Sequence, residues 1–180
     1  MTKAQTRFRM SELPPSRPVT FELRPTPDEN RAIADDLGLS GLRKLSFQGT
    51  LEPEGKRDWR LVAHLGATVT QPCVVTLAPV TTRIEEDVTR RYLAAMPGIP
   101  DEDEVEMPED DSIEPLPDML DLSVVMTEAL ALALPLYPRA EGAELEETVV
   151  TEPGKTPLRD EDTRPFSGLS ALRDALKKDD

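Results

Sequence analysis

Trp59-Arg60-Leu61-Val62-Ala63-His64-Leu65-Gly66-Ala67-Thr68-Val69-Thr70 is the stretch on which the architecture turns. Leu61, Ala63, Leu65, Ala67 and Val69 share one side, while Arg60, His64, Thr68 and Thr70 share the other. A period of two is the signature of a half-buried strand. Working outward, Leu45, Phe47, Gly49 and Leu51 alternate with Lys44, Ser46, Gln48 and Thr50, and Glu52-Pro53-Glu54-Gly55-Lys56 between the two runs is turn chemistry. On the other side, Val74, Val75 and Leu77 precede Pro79, and Val80, Thr82, Ile84 and Val88 alternate with Thr81, Arg83, Glu85 and Asp87. These runs predict consecutive antiparallel strands, the stretch at 74–77 included. Val19-Thr20-Phe21-Glu22-Leu23 adds a short strand, ended by Pro25 and Pro27.

Helical period appears in three places. Pro27 and Asp28 suit a first turn, and a helix is predicted from there to about Leu37, with Ile33 and Leu37 on one face and Gly38 as its stop. Asp121 caps a second helix that is apolar almost all round, from Leu122 to Leu134, and ends at Pro135. All-round apolarity predicts burial against the sheet. A last helix over residues 167–178 carries Leu169, Leu172 and Leu176 on one side. The fold class expected is α+β, an antiparallel β-sheet or partly closed barrel packed with a buried helix, plus a short N-terminal and a C-terminal helix. The divisions expected are a flexible arm at 1–17, an α+β domain at 18–138 with an acidic loop at 101–117, an acidic linker at 139–163 and the C-terminal helix at 164–180.

Charge is unevenly distributed. Residues 1–100 carry 12 Asp and Glu against 14 Lys and Arg, whereas residues 101–163 carry 20 against 3. Such an acidic stretch repels phosphate and attracts basic partners at rates that fall with salt. Eighteen prolines and 4% aromatics mark much of the chain as lying outside a packed interior. With one cysteine there is no intramolecular disulfide, and the first residues lack an apolar run after their basic ones, so a cytoplasmic protein is expected. No apolar run reaches the ~18 residues of a membrane span.

Three blocks carry a family resemblance. The first is Gln71-Pro72-Cys73-Val74-Val75-Thr76-Leu77-Ala78-Pro79-Val80, which looks like a Cys-x-x-Cys knuckle whose second cysteine has become Thr76. The second runs from Asp121-Leu122 through Glu128 to Leu132-Ala133-Leu134-Pro135-Leu136-Tyr137-Pro138. The third is Arg164-Pro165-Phe166-Ser167-Gly168-Leu169-Ser170-Ala171-Leu172. In this order they resemble the large ribosomal RNA subunit accumulation proteins, the YceD family, in their alphaproteobacterial form. The resemblance implies a role in large-subunit rRNA accumulation and ribosome assembly. Members with a complete metal-like set carry two cysteines in the knuckle and a His and Cys after the Pro-x-x-Pro. Here those places hold Cys73, Thr76, Ala140 and Leu145. One thiolate does not make a tetrahedral zinc site, so no metal and no cofactor is expected, and Cys73 is expected as a small half-buried residue on a strand.

No glycine spacing fits a phosphate loop. The expected function is therefore a non-enzymatic binding factor, with Asp101, Glu102, Asp103 and Glu104 facing a basic ribosomal protein or pre-50S particle. Arg43, Lys44, Arg60 and Arg83 on the sheet are the candidates for touching rRNA phosphates; neither DNA nor a membrane is expected as a partner. The alternative from another class is an RNA-processing or thiol enzyme using Cys73 and His64, which requires those two side chains on neighbouring strands.

Overall fold

The computed structural model describes residues 5–96 and 112–144. The chain divides after Glu141, and every element below lies before that point. In chain order the elements are β1 (Arg7–Arg9), β2 (Val19–Leu23), α1 (Pro27–Asp36), β3 (Gly41–Glu54), β4 (Asp58–Pro72), β5 (Pro79–Leu93), β6 (Ile113–Pro115), β7 (Met119–Asp121) and α2 (Leu122–Ala133). The class is α+β, as expected.

β4 is the spine. Its alternating side, Leu61, Ala63, Leu65, Ala67 and Val69, is buried throughout. Antiparallel pairing with β3 sets Leu51 against Leu61 and Phe47 against Leu65, and pairing with β5 sets Ile84 against Ala67 and Val88 against Ala63. Partners directly opposite in a ladder face the same way, so the apolar rows of three strands merge into one surface. β2 extends it through Phe21 and Leu23, with the rings of Phe21 and Phe47 tilted at a centroid distance of 5.5 Å. A register shift between Arg43 and Ser46 interrupts the β3–β4 ladder, and there Lys44 takes a φ of 54°.

The sheet is open and mixed, in the order β2-β3-β4-β5-β6, and is not a closed barrel. The expectation of wholly antiparallel strands is corrected at its edge, where β6 runs parallel to the end of β5, Arg91 opposite Ile113. A parallel neighbour needs a long crossover of about a dozen residues or more, and the chain between Leu93 and Ile113 supplies it. β1 and β7 form a separate antiparallel pair, Phe8 opposite Leu120. Part of the stretch expected as an arm is therefore drawn into the body, with Phe8 and Met10 buried.

α1 begins as predicted. Thr26 and Glu29 form a reciprocal capping box ahead of Pro27, and Gly38, at a φ of 65°, takes the left-handed turn that ends it. The Asp121 carboxylate accepts from the Ser123 N–H to cap α2. Leu122, Val125, Met126, Ala129 and Leu130 are buried, the i, i+3, i+4, i+7, i+8 stripe of a one-sided helix. α2 packs against the sheet as expected, but with one face only: Val124 is 52% exposed and Leu132 84%. One face suffices because α2 covers the sheet from one side only.

Where the apolar surface ends under α2, a cation closes the edge. Arg90, opposite Leu61 and so on the inner side of β5, is 14% exposed and reaches Glu114 of β6 and Glu128 of α2, each at 2.8 Å. A guanidinium that is mostly buried needs such partners, since an unpaired charge there costs several kcal/mol in solvation. The two carboxylates hold Arg90 firmly protonated against the desolvation that opposes its charge. The last predicted helix, at 167–178, lies outside the described residues.

Candidate functional site

β4 stops at Pro72 because a proline offers no N–H to the ladder, and residues 73–77 turn the chain back toward β5. This replaces the strand expected at 74–77. The turn is closed by the Cys73 N–H to the Ala78 carbonyl at 2.7 Å and the Leu77 N–H to the Cys73 carbonyl at 3.0 Å, with Leu77 at a φ of 60°. Cys73 is not half-buried on a strand but fully enclosed in the turn, at 0% exposure. Its Sγ receives backbone N–H groups from Val75 at 3.4 Å, Thr76 at 3.5 Å and Ala140 at 3.3 Å. The segment after α2 is tied to the same turn by the Val74 N–H to the Pro138 carbonyl, 2.9 Å, and Gln71 Nε2 to the Pro135 carbonyl, 3.3 Å.

The fold thus gathers Cys73, Thr76 and Ala140, three of the four places at which the resemblance put a metal-like set; Leu145 lies outside the described residues. A threonine and an alanine offer no soft donor, so these residues do not fit a zinc ion. Among the described residues no other group of His, Cys, Asp and Glu is arranged to hold a metal. What the turn does instead is stabilise a thiolate. The Thr76 side chain, then the N–H groups of Ala140 and Thr76, bring the Cys73 thiol down to about 6, against a smaller upward push from burial under a thin cover.

A thiol lowered from 9.0 to about 6 gives stability that is fully present above pH 9 and is lost as pH falls through about 6. The difference in melting temperature between the parent and Cys73→Ala is therefore expected to widen from pH 6 to pH 9. A difference that stays flat across that window would show that the sulfur is an ordinary thiol.

The outer side of the sheet carries the other candidates. Arg60 pairs with Glu52 at 2.9 Å, Arg83 with Glu85 at 2.6 Å and Arg91 with Glu54 at 3.1 Å. Arg83 also reaches Thr68 Oγ1 at 3.4 Å and the Lys44 carbonyl at 3.5 Å, and so lies across Gly66, where a Cβ would stand 2.7 Å from the guanidinium. Arg60 and Arg83 thus sit in a surface of matched charges. Arg43 and Lys44 are exposed at the register shift of β3, beside Arg83. Asp101, Glu102, Asp103 and Glu104 lie outside the described residues.

His64 is on this outer side, as its place in the alternation predicts. Its Nδ1 lies 2.7 Å from Asp87 and its Nε2 2.8 Å from Glu85. Only an imidazolium has an N–H for each carboxylate, so Asp87 first and Glu85 second hold its proton above the usual range. As the only histidine, it is expected to give one resolved imidazole titration by proton NMR, with a midpoint above 6.5. A midpoint at or below that value counts against the bridge. The structure does not bring His64 to Cys73: Pro72 lies eight residues further along β4, about 26 Å away.

Sequence reasoning missed the Ala140 N–H and the carboxylates flanking His64. Register alone reveals the latter, because Asp87 is opposite His64 and Glu85 opposite Gly66. The sequence did contain Glu85 and Asp87 two apart, on one face of a strand.

A comparison with family models matches residues 61–173, more than half of the chain, to the family described as large ribosomal RNA subunit accumulation protein YceD. No curated protein and no solved structure matches the chain. The match takes in β4, the Cys73 turn, β5 and α2, together with the segment that Cys73 ties down. On that ground, the chain belongs to the YceD family, whose description is accumulation of the large ribosomal RNA subunit.

Proposed function

We propose that this chain is a non-enzymatic cytoplasmic factor that supports large-subunit rRNA accumulation by binding a basic ribosomal protein or a pre-50S particle. The observation that carries this reading is the family match across the spine of the fold. Charge supports the choice of partner: nine Asp and Glu and no Lys or Arg lie in residues 101–115. Such a run speeds encounter with a lysine- and arginine-rich surface, over a range of about 10 Å at ~0.1 M salt. Arg43 and Lys44, exposed at the bulge, are the better candidates for a phosphate contact, because Arg60 and Arg83 are already engaged by carboxylates. The enzymatic alternative loses its pair, since His64 and Cys73 stand far apart on β4 and in the turn beyond it.

Cells lacking the protein are expected to show less large-subunit than small-subunit rRNA on sucrose gradients and RNA gels. An unchanged ratio rejects the role. In vitro, replacing Asp101, Glu102, Asp103 and Glu104 by Asn and Gln is expected to slow association with a pre-50S fraction and to leave the thermal melt alone. Equal association at every salt concentration moves the contact off that run.

A further inference from the structure

The side of α2 that the core leaves unused opens toward α1. Between them lies a groove of ≈ 950 Å³. Its apolar lining comes from Pro25, Ala32 and Ile33 on one wall, Val124 on the other, and Leu23 and Met126 beneath them. Met126 and Leu23 are core residues that form its floor, whereas Ala32 and Val124 are exposed. An apolar valine on a capped helix, facing a second capped helix across an open groove, is not explained by packing among the described residues, which α2 satisfies with its other face.

The rim is acidic. Glu22, Glu29 and Glu128 line the groove against a single lining cation, Arg24. Arg24 is bound to Glu22 at 2.6 Å, and the Arg90 that meets Glu128 is shared with Glu114. The lining stretches Glu29–Ile33 of α1 and Ser123–Glu128 of α2 give walls about 7 to 9 Å long, which face one to two turns of a visiting helix. An apolar floor inside an acidic rim selects a segment with one apolar face and a cationic remainder.

We propose that the groove between α1 and α2 is the docking site of a lysine- and arginine-rich amphipathic helix from a protein partner. This rests on the basic-partner reading above and adds the place of contact. Charge makes a second copy of this chain a poor occupant, because the same acidic rims would meet.

The test uses the full chain and a fluorescein-labelled synthetic helix with leucine on one face and lysine on the others, next to its glutamate counterpart. Anisotropy is expected to show binding of the lysine helix only, weakening with salt. Val124→Lys and Ala32→Lys, both at exposed positions, are expected to weaken it roughly tenfold or more with an unchanged melt. Val62→Lys, exposed on the outer side of the sheet, is expected to leave it intact. Equal binding of the glutamate helix, no binding of either, or equal loss in all three variants overturns the proposal. So does a dimer of the chain that Val124→Lys dissolves. If the lysine helix binds and resists both groove substitutions but not neutralisation of Asp101 to Glu104, the groove is wrong and the basic-partner reading stands. An unchanged rRNA ratio in cells rejects that reading whatever the groove does.

Discussion

Leu130→Asp is expected to leave the chain without a cooperative thermal transition at temperatures where the parent is native. Leu130 has no solvent exposure and sits on the buried stripe of α2, against the surface built by β4 and β5. Removing such a side chain to alanine costs about 2–5 kcal/mol. Aspartate adds the burden of a carboxylate withdrawn from water, or else forces the helix off the sheet. Since whole domains are held by about 5–15 kcal/mol, the substitution consumes most of the margin. Circular dichroism at 222 nm during heating checks it, and a melt near the parent value would mean that α2 is not the lid of the core.

Gly49→Ala is expected to be the most damaging single-methyl change in the sheet. Gly49 stands opposite Ala63, and a Cβ placed on it meets the Val62 carbonyl oxygen at 2.2 Å and the Ala63 Cα at 2.6 Å. Both obstacles are backbone, so no rotamer change relieves them, and β3 and β4 must part at the centre of their ladder. Overpacking a well-filled interior costs about 1–3 kcal/mol, and a clash with main chain belongs at the upper end or beyond. Urea denaturation reads the loss directly, with the adjacent exposed Gln48→Ala as the control. Equal midpoints for the two variants would contradict the close approach.

The strands were legible because their signal is local. The inward row Leu61, Ala63, Leu65, Ala67 and Val69 is buried at every position, although Val62 interrupts the polar row and outward Gly66 is buried under Arg83. The cap of α2 at Asp121 was legible for the same reason; the Thr26–Glu29 box of α1 is as local but went unread beside Pro27 and Asp28. Residues 74–77 misled because three branched apolar residues favour a strand, yet the turn is set by Pro72 and by donors such as Ala140, far along the chain. β6 was hidden because its pairing with β5 depends on a long return, which carries no periodic signal. The outward face of α2 was hidden because composition records apolarity and not which side is covered. At the site, His64 could be placed on the outer side, but the carboxylates that share its proton come from register, and the groove comes from two helices distant in sequence.

The open sheet has two rims, and the outermost strand on each is short. β2 is five residues long, bracketed by Pro18 and Pro25, and β6 is three residues long and ends in Pro115. A free rim is a template on which a foreign strand can add, and brevity and proline both remove donors from that template. β6 covers only Arg91–Leu93, so among the described residues the edge of β5 from Val80 to Arg90 has no strand beside it, and there strand addition is opposed by charged side chains such as Arg83, Glu85, Glu86 and Asp87.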